Sequence, residues 1–360
     1  MTGTETETFF SLVERWEGSS VVVRHDRPTG SWIFIALHDH TLGRPVGGCR
    51  LTSYRRPEDG LRDALRLAEG MTLKWAVMDL PFGGGKSVLA VPPRLSKKAR
   101  TGLLHRFGEL LESLDGVYGT GADLGTTVED MRTIASRTKW VVGLPDGPEL
   151  PTDPGPYTAL GVWEGIKAAL AHRYGSADPA GRRVLVQGVG NVGDPLARMV
   201  VAEGGQVLLT DTDQDKAFVL AVELGASVVT PEEAYDAPCT VYAPCAVGAT
   251  LNQDTIPRLR CAIVAGSANN QLADDRCLGL LEERDILYAP DYVINGGGAM
   301  AFGLLHLGER DLDVLDERVR GIGGTLREIF QEAEARGESP VEGARRRALV
   351  ALERARTGSD

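Results

Sequence analysis

No run in this 360-residue chain approaches the roughly 20 consecutive apolar residues that a membrane-spanning helix needs. The opening MTGTETETFF lacks the basic start and apolar core of a signal peptide, so the expected location is the cytoplasm. Positive charge is scarce: 39 Lys and Arg stand against 50 Asp and Glu, a formal net charge of −11. That balance argues against a nucleic-acid partner, because phosphate binding needs clustered cations. The five cysteines, Cys49, Cys239, Cys245, Cys261 and Cys277, are odd in number and form no CxxC pair, as expected of free thiols in a reducing compartment. The histidines form no HExxH pattern, so no metal site is expected. What remains, 42% hydrophobic and 25% charged, is an ordinary globular composition, and the length calls for two domains rather than one core.

The stretch from Gly70 to Lys86, GMTLKWAVMDLPFGGGK, carries two lysines separated by an apolar run, the second directly behind three glycines. Glycines remove every Cβ, so a ligand or neighbouring backbone can come close there. A lysine shielded from water against such a surface loses solvation of its ammonium form and can act as a base. The plainer alternative is a buried strand ending in a glycine turn with a surface lysine. Pro81 predicts a break between the two lysines.

Upstream, Ser20–Arg24 and Ser31–His38 flank Arg27-Pro28-Thr29-Gly30 and read as a hairpin. Residues 1 to 8 are polar and read as a frayed end. Val46-Gly47-Gly48-Cys49-Arg50 is a second close-approach point. Pro57, with Glu58 and Asp59 behind it, opens a helix whose Leu61, Ala64, Leu65, Ala68 and Met71 share a face. Ser96 to Leu114 is another amphipathic helix. In GTGADLGTTVEDM, Thr126 and Glu129 fit a capping box, which puts Asp123 in a loop just ahead of a helix. An Asp there is otherwise a turn or capping residue.

Gly147 to Pro156 reads as the interdomain hinge or a loop near it. A helix over Tyr157–Arg173 leads to the apolar strand Arg183–Gln187, then to Gly188-Val189-Gly190-Asn191-Val192-Gly193, a full GxGxxG. A helix with Leu196, Met199 and Val200 on one face follows, then the strand Gln206–Thr210 ending at Asp211, roughly twenty residues past the first glycine. Strand, glycines, helix, strand and terminal acid together predict a dinucleotide fold, with pyrophosphate on the helix N-terminus. Asp211 would hydrogen-bond the ribose and repel a 2′-phosphate, favouring NAD over NADP. Further strands are expected at Thr240–Ala243, Ala262–Ala265 and Ile286–Ala289, and a helix capped by Thr230 and Glu233 behind Pro231. Each of these strands ends in small or polar residues, Pro244-Cys245-Ala246, Gly266-Ser267-Ala268-Asn269-Asn270 and Pro290-Asp291, which places Asn269 and Asn270 to face the cofactor. Cys245 has no supporting His motif and reads as structural. Asn295-Gly296-Gly297-Gly298 ends the domain with a further close-approach surface, and two helices follow, the last capped by Ser339 and Glu342.

These residues resemble the Glu/Leu/Phe/Val amino-acid dehydrogenase family over nearly the whole chain, nearest to its leucine, valine and phenylalanine members. VGGCR, GMTLK, PFGGGKSV, GTGADLGTTVEDM, QGVGNVG, YAPCAVGAT, VAGSANNQL and YAPDYVINGGGA carry the resemblance in order. It implies a two-domain α/β fold, with an N-terminal substrate and oligomerisation domain over 1–150 and a Rossmann-type domain over 151–330. The helix over 339–356 would pack back on the first domain. It also implies NAD-dependent, reversible oxidative deamination of an L-amino acid to a 2-oxo acid and ammonia by a homo-oligomer. By motif, Lys74 matches the lysine that pairs with the substrate carboxylate, assisted by Asn269. Lys86 matches the lysine that activates water, and Asp123 the carboxylate that shuttles protons. Thr158 matches a threonine beside the nicotinamide. The remaining expected cofactor contacts are Gly188, Gly190, Asn191, Val192, Gly193, Asp211, Thr212, Cys245, Ala246, Ala268, Asn269 and Asn295.

Some positions depart from the family pattern: Cys49 stands where threonine is usual, Trp75 is bulkier than its counterpart, and the segment before Thr158 lacks the usual glycine run. For the substrate side chain, Val46 and Phe302 stand where glutamate members hold the distal carboxylate, so glutamate is expected to be rejected. Gly48 completes the expected substrate contacts. By the resemblance, Gly121 stands where leucine-type members tend to carry alanine and phenylalanine-type members glycine, and Ala299 replaces a larger valine or leucine. Both leave room for a ring, while Phe302 takes back some of that volume. The expectation is phenylalanine or another large hydrophobic substrate. The alternatives are a branched-chain enzyme, a secondary-metabolism enzyme on an unusual amino acid, and a non-catalytic NAD- or amino-acid-binding regulator on the same fold.

Overall fold

The computed structural model describes residues 8–144, 147 and 149–358. In the first part of the chain, a short helix α1 (Phe9–Glu14) precedes strands β1 (Ser20–Asp26) and β2 (Ser31–Asp39), which pair antiparallel through a turn where Gly30 has φ +67°. Then come β3 (Pro45–Thr52), α2 (Pro57–Val77), β4 (Gly83–Ala90), α3 (Lys97–Ser113), β5 (Gly119–Ala122) and α4 (Val128–Ala135). The sheet runs β1-β2-β4-β3-β5, antiparallel across β1, β2 and β4 and parallel across β4, β3 and β5. Alternation along β2 feeds two cores. Ile33, Ile35 and Leu37 pack with Leu103, Leu104 and Phe107 of α3, while Phe34 and Ala36 pack with Leu61, Ala64, Leu65 and Ala68 of α2. Helices therefore cover both faces, and every residue of β4 is buried. Truncating a side chain such as Phe107 to Ala would cost about 3–5 kcal/mol.

The second part begins with α5 (Gly155–Tyr174). It continues through β6 (Arg183–Gln187), α6 (Gly193–Ala202), β7 (Gln206–Thr210), α7 (Gln214–Leu224), β8 (Ser227–Val228), β9 (Val241–Pro244), β10 (Ile263–Val264), α8 (Arg276–Glu283) and β11 (Leu287–Tyr288). Helices α9 (Asp291–Ile294), α10 (Gly297–His306), α11 (Leu312–Arg336) and α12 (Pro340–Thr357) complete it. All six strands are parallel, in the order β8-β7-β6-β9-β10-β11. Renumbered within this sheet, that order is 3-2-1-4-5-6, the arrangement of dinucleotide-binding sheets, which reverses between β6 and β9.

By internal contacts the chain forms two compact units, one reaching Thr152 and resuming at Ala348, the other spanning Asp153–Arg347. The second unit thus runs past 330, because α11 packs along α5. Ser339 and Glu342 make the reciprocal cap of α12, with N–H···O distances of 2.8 and 3.2 Å. Near the end of that helix Arg356 Nη2 bonds Asp39 Oδ2 at 2.7 Å within the first unit.

Five local readings change. The three glycines before Lys86 lie inside β4 and not in a turn, and the break at Pro81 sits between α2 and that strand. The capping box belongs to Thr127 and Asp130, because the Thr126 hydroxyl turns inward, donating to Cys49 O at 2.8 Å and accepting from Asp123 N at 2.9 Å. Thr230 and Glu233 do cap each other, but only a 3-10 turn (Glu233–Tyr235) follows, with Pro238 close behind. Gly155 and Pro156 belong to α5 rather than to a hinge loop, and Gly297 and Gly298 open α10 rather than ending a domain. Pro148 of the expected hinge and residues 1–7 lie outside the described residues.

Candidate active site

In the first unit, the parallel strands β4, β3 and β5 bring Lys86, Gly48 and Asp123 side by side. Gly48 sits opposite Gly121, and Asp123 follows the last residue of β5. Lys86 is 5% exposed, and its Nζ lies 3.0 Å from Asp123 Oδ2. A Cβ on Gly48 would stand 2.6 Å from Asp123 Cβ and 3.2 Å from Lys86 Nζ, so only glycine leaves the pair undisturbed. Burial pushes the Asp123 carboxyl up, but the charges of Lys86 and Arg50 outweigh it and hold it down at about 2. The arrangement is a buried ammonium–carboxylate pair that can pass a proton across one hydrogen bond.

Lys74 lies in the last turn of α2 and is buried. Next to it, Trp75 packs against Phe82 at 5.0 Å and donates from Nε1 to the Val46 carbonyl at 3.0 Å, which ties α2 to the strand carrying Val46. A Cβ on Gly121 would meet the Val142 carbonyl oxygen at 3.3 Å, a tight contact. Burial pushes the Cys49 thiol up to about 12, so it is an inert packing group. Three participants carried no expected role: Arg50, Asp63 and Tyr54. Arg50 Nε bonds Asp123 Oδ2 at 3.1 Å and its Nη1 bonds Asp63 Oδ2 at 2.8 Å, where the Tyr54 hydroxyl also donates at 2.7 Å. The signal available for Arg50 was its spacing of two from Gly48 on a strand, which puts both on one face.

In the second unit the glycines divide the work. Gly188 has φ +97° and abuts Ala246, where a Cβ would meet Ala246 Cβ at 2.8 Å. Gly190 faces open space, and a Cβ on Gly193 would stand 1.8 Å from Gly188 O, so α6 closes tightly on β6. A turn, an open approach and a close helix–strand contact are what a pyrophosphate cradle needs. Asn191 and Val192 lie between the last two glycines, with Val192 at the N-cap of α6. Asp211 ends β7. Its carboxyl is raised by burial but lowered overall, because the N–H groups of Asp213 (2.9 Å) and Val189 (2.8 Å) donate to it and Lys216 lies nearby. Thr212 donates to the same carboxylate at 3.4 Å.

At the ends of β9 and β10, Cys245 N donates to Gln187 O at 2.7 Å and Ala268 N to Pro244 O at 2.9 Å. Asn295 Nδ2 donates to Asn269 Oδ1 at 2.7 Å and to Ser267 O at 3.1 Å, joining two expected contacts in one bond. A Cβ on Gly298 would stand 2.5 Å from Thr158 Oγ1, so Thr158 lies against the start of α10. Ala299 and Phe302, three apart on α10, share a half-buried face. Burial also raises the Cys245 thiol. These residues fit a dinucleotide: an open glycine backbone, a helix N-terminus and an ionised acid at the end of the second strand.

Strand order and glycine pattern make the second unit a dinucleotide-binding domain of the dehydrogenase kind. The chain belongs to the Glu/Leu/Phe/Val dehydrogenase family. Residues 22–143 match its Glu/Leu/Phe/Val dehydrogenase dimerisation domain and residues 208–357 its glutamate/leucine/phenylalanine/valine dehydrogenase domain. It is 42% identical over 295 residues to leucine dehydrogenase of Bacillus cereus, covering 82% of this chain and 80% of that protein. It is 38% identical to phenylalanine dehydrogenase of Caldalkalibacillus thermarum, covering 94% and 91%. The crystal structure of L-tryptophan dehydrogenase from Nostoc punctiforme superposes with TM-score 0.82 at 38% identity, covering 97% of this chain and 99% of that one. The protein is an amino-acid dehydrogenase that uses a nicotinamide cofactor. Among the described residues, no helix is long and apolar enough to cross a membrane and no cluster could hold a metal ion.

Proposed function

We propose that the protein catalyses the reversible oxidative deamination of a large hydrophobic L-amino acid with NAD, giving the 2-oxo acid, ammonia and NADH. The observation that carries this reading is the buried Lys86–Asp123 pair beside Gly48, in a chain that also bears a dinucleotide-binding unit. Bound NAD supplies the acceptor for the hydride leaving the substrate Cα. Lys74 pairs with the substrate carboxylate, assisted by Asn269. In its neutral form Lys86 takes a proton from the water that attacks the imino carbon. Asp123 passes protons between that water and the substrate nitrogen, within 3.0 Å of Lys86. Asp211 accepts from the adenosine ribose, and its charge repels a 2′-phosphate, which supports NAD over NADP. The nicotinamide would lie near Thr158. A homo-oligomer is in keeping with the family's dimerisation domain, and the cytoplasm is its proposed location.

For the side chain, Val46 offers an apolar wall where an unpaired carboxylate would lose several kcal/mol of solvation. By the resemblance, glycine at 121 and alanine at 299 favour a ring, and Phe302 offers an aromatic edge to it. Aromatic relatives favour the same choice, while the 42% identity to a leucine dehydrogenase favours the branched-chain alternative. The test is kcat/KM for L-phenylalanine, L-tryptophan, L-leucine, L-valine and L-glutamate, repeated in Gly121→Ala. An aromatic substrate should lead, glutamate should be inert, and the variant should move preference toward leucine. Leucine or valine leading in the wild type would overturn the aromatic choice.

A further inference from the structure

Arg50 has no part in the chemistry above, yet it is 12% exposed and bonds two carboxylates at once, Asp123 through Nε and Asp63 through Nη1. Asp63 is itself fixed: the Tyr54 hydroxyl donates to its Oδ2 at 2.7 Å, and Arg66 Nη2 bonds its Oδ1 at 2.7 Å. Lys86 and Arg50 converge on the same oxygen of Asp123, Oδ2, at 3.0 and 3.1 Å. Two cations on one oxygen fix the plane of the carboxylate and leave Oδ1 outside the pair. A rigid guanidinium fork held at its far end by a second carboxylate does this better than a flexible ammonium.

We propose that Arg50, braced by Asp63, is a positioning residue that orients Asp123 for proton transfer. The proposal rests on the reading of Asp123 as the proton carrier. Apart from the Leu124 N–H, which also bonds the Asp123 carboxylate, few other groups near Asp123 compete for the role. Burial raises the Cys49 and Tyr118 protons, and burial with the Asp63 bond raises that of Tyr54, so all three stay neutral through the working range. On α4, Asp130 is engaged by Arg100 at 2.7 Å. Of the two cations on Asp123, Lys86 is the one that takes up and releases a proton in turnover. Arg50, always charged, is the constant one.

The experiment compares Arg50→Gln, Arg50→Lys and Asp63→Asn in the full chain. Each is read by kcat, KM, NAD affinity and the infrared carboxyl band of Asp123, isolated by difference against Asp123→Asn in the same background. An opposite charge at this distance lowers a carboxyl by roughly 1–3 pH units. Arg50→Gln should therefore protonate Asp123 about one pH unit or more above the wild type, with kcat down roughly 100-fold and NAD affinity kept. Arg50→Lys and Asp63→Asn should leave Asp123 ionised and still lower kcat about tenfold, because charge remains but orientation is loosened. An unmoved Asp123 band in Arg50→Gln, or wild-type kcat in Asp63→Asn, overturns the proposal. If the band moves while all three variants keep wild-type kcat, the charge effect stands, but the positioning role and the catalytic reading of Asp123 both fall.

Discussion

Gly48 and Asp123 approach so closely that a methyl group on the first would stand 2.6 Å from Cβ of the second. The same methyl would meet Ala122 O at 3.0 Å, so it could not be absorbed by rotating one side chain. The alanine must push β5 away or turn Asp123 from Lys86. Gly48→Ala is therefore expected to fold, lose kcat by roughly 100-fold and keep its NAD affinity, as steady-state kinetics and a binding titration would record. Near-wild-type kcat would mean that the pair tolerates displacement.

The carboxylate of Asp211 is aligned by the N–H groups of Val189 and Asp213 at the end of β7. Removing its charge while keeping its shape, in Asp211→Asn, should raise kcat/KM for NADP relative to NAD by about tenfold or more, since a charged hydrogen bond contributes about 1.5–3 kcal/mol. The unmodified enzyme should prefer NAD. Equal use of both cofactors by the wild type would remove Asp211 from the ribose.

Asp123 also predicts how stability depends on acid. Its folded carboxyl is held at about 2, below the unfolded value of roughly 4, so its ionisation stabilises the fold above about pH 4. That contribution, on the order of 2 kcal/mol, is lost as pH falls through about 2. Urea midpoints should therefore favour the wild type over Asp123→Asn at neutral pH, with the gap closing only below about pH 4. A gap that closed between about pH 5 and pH 6 would contradict this.

Much of the fold is legible in local sequence because local physics decides it. Apolar spacing gives α2, Ser96 caps α3, and the run from β6 through Asp211 reads directly as strand, glycines, helix and strand. Gly83 to Gly85 mislead because glycine usually marks a turn. Here neighbours distant in sequence demand it: a Cβ on Gly84 would stand 1.9 Å from Thr72 Oγ1. Thr126 and Thr127 are equivalent as caps until Cys49 O, from β3, claims the first hydroxyl. Arg50 and Asp63 stayed hidden for the same reason: their bond depends on α2 returning across the sheet, and no local pattern encodes that return.

The most direct test of the account is Lys86→Ala, because Lys86 belongs to the first unit and the dinucleotide elements to the second. A general base contributes roughly 100- to 10,000-fold, and the variant should lose at least that much turnover of its best L-amino acid. Its NAD dissociation constant, measured by titration of the full-length protein, should stay within about twofold of the wild type. Parallel loss of turnover and NAD binding, or turnover surviving without Lys86, would contradict the account.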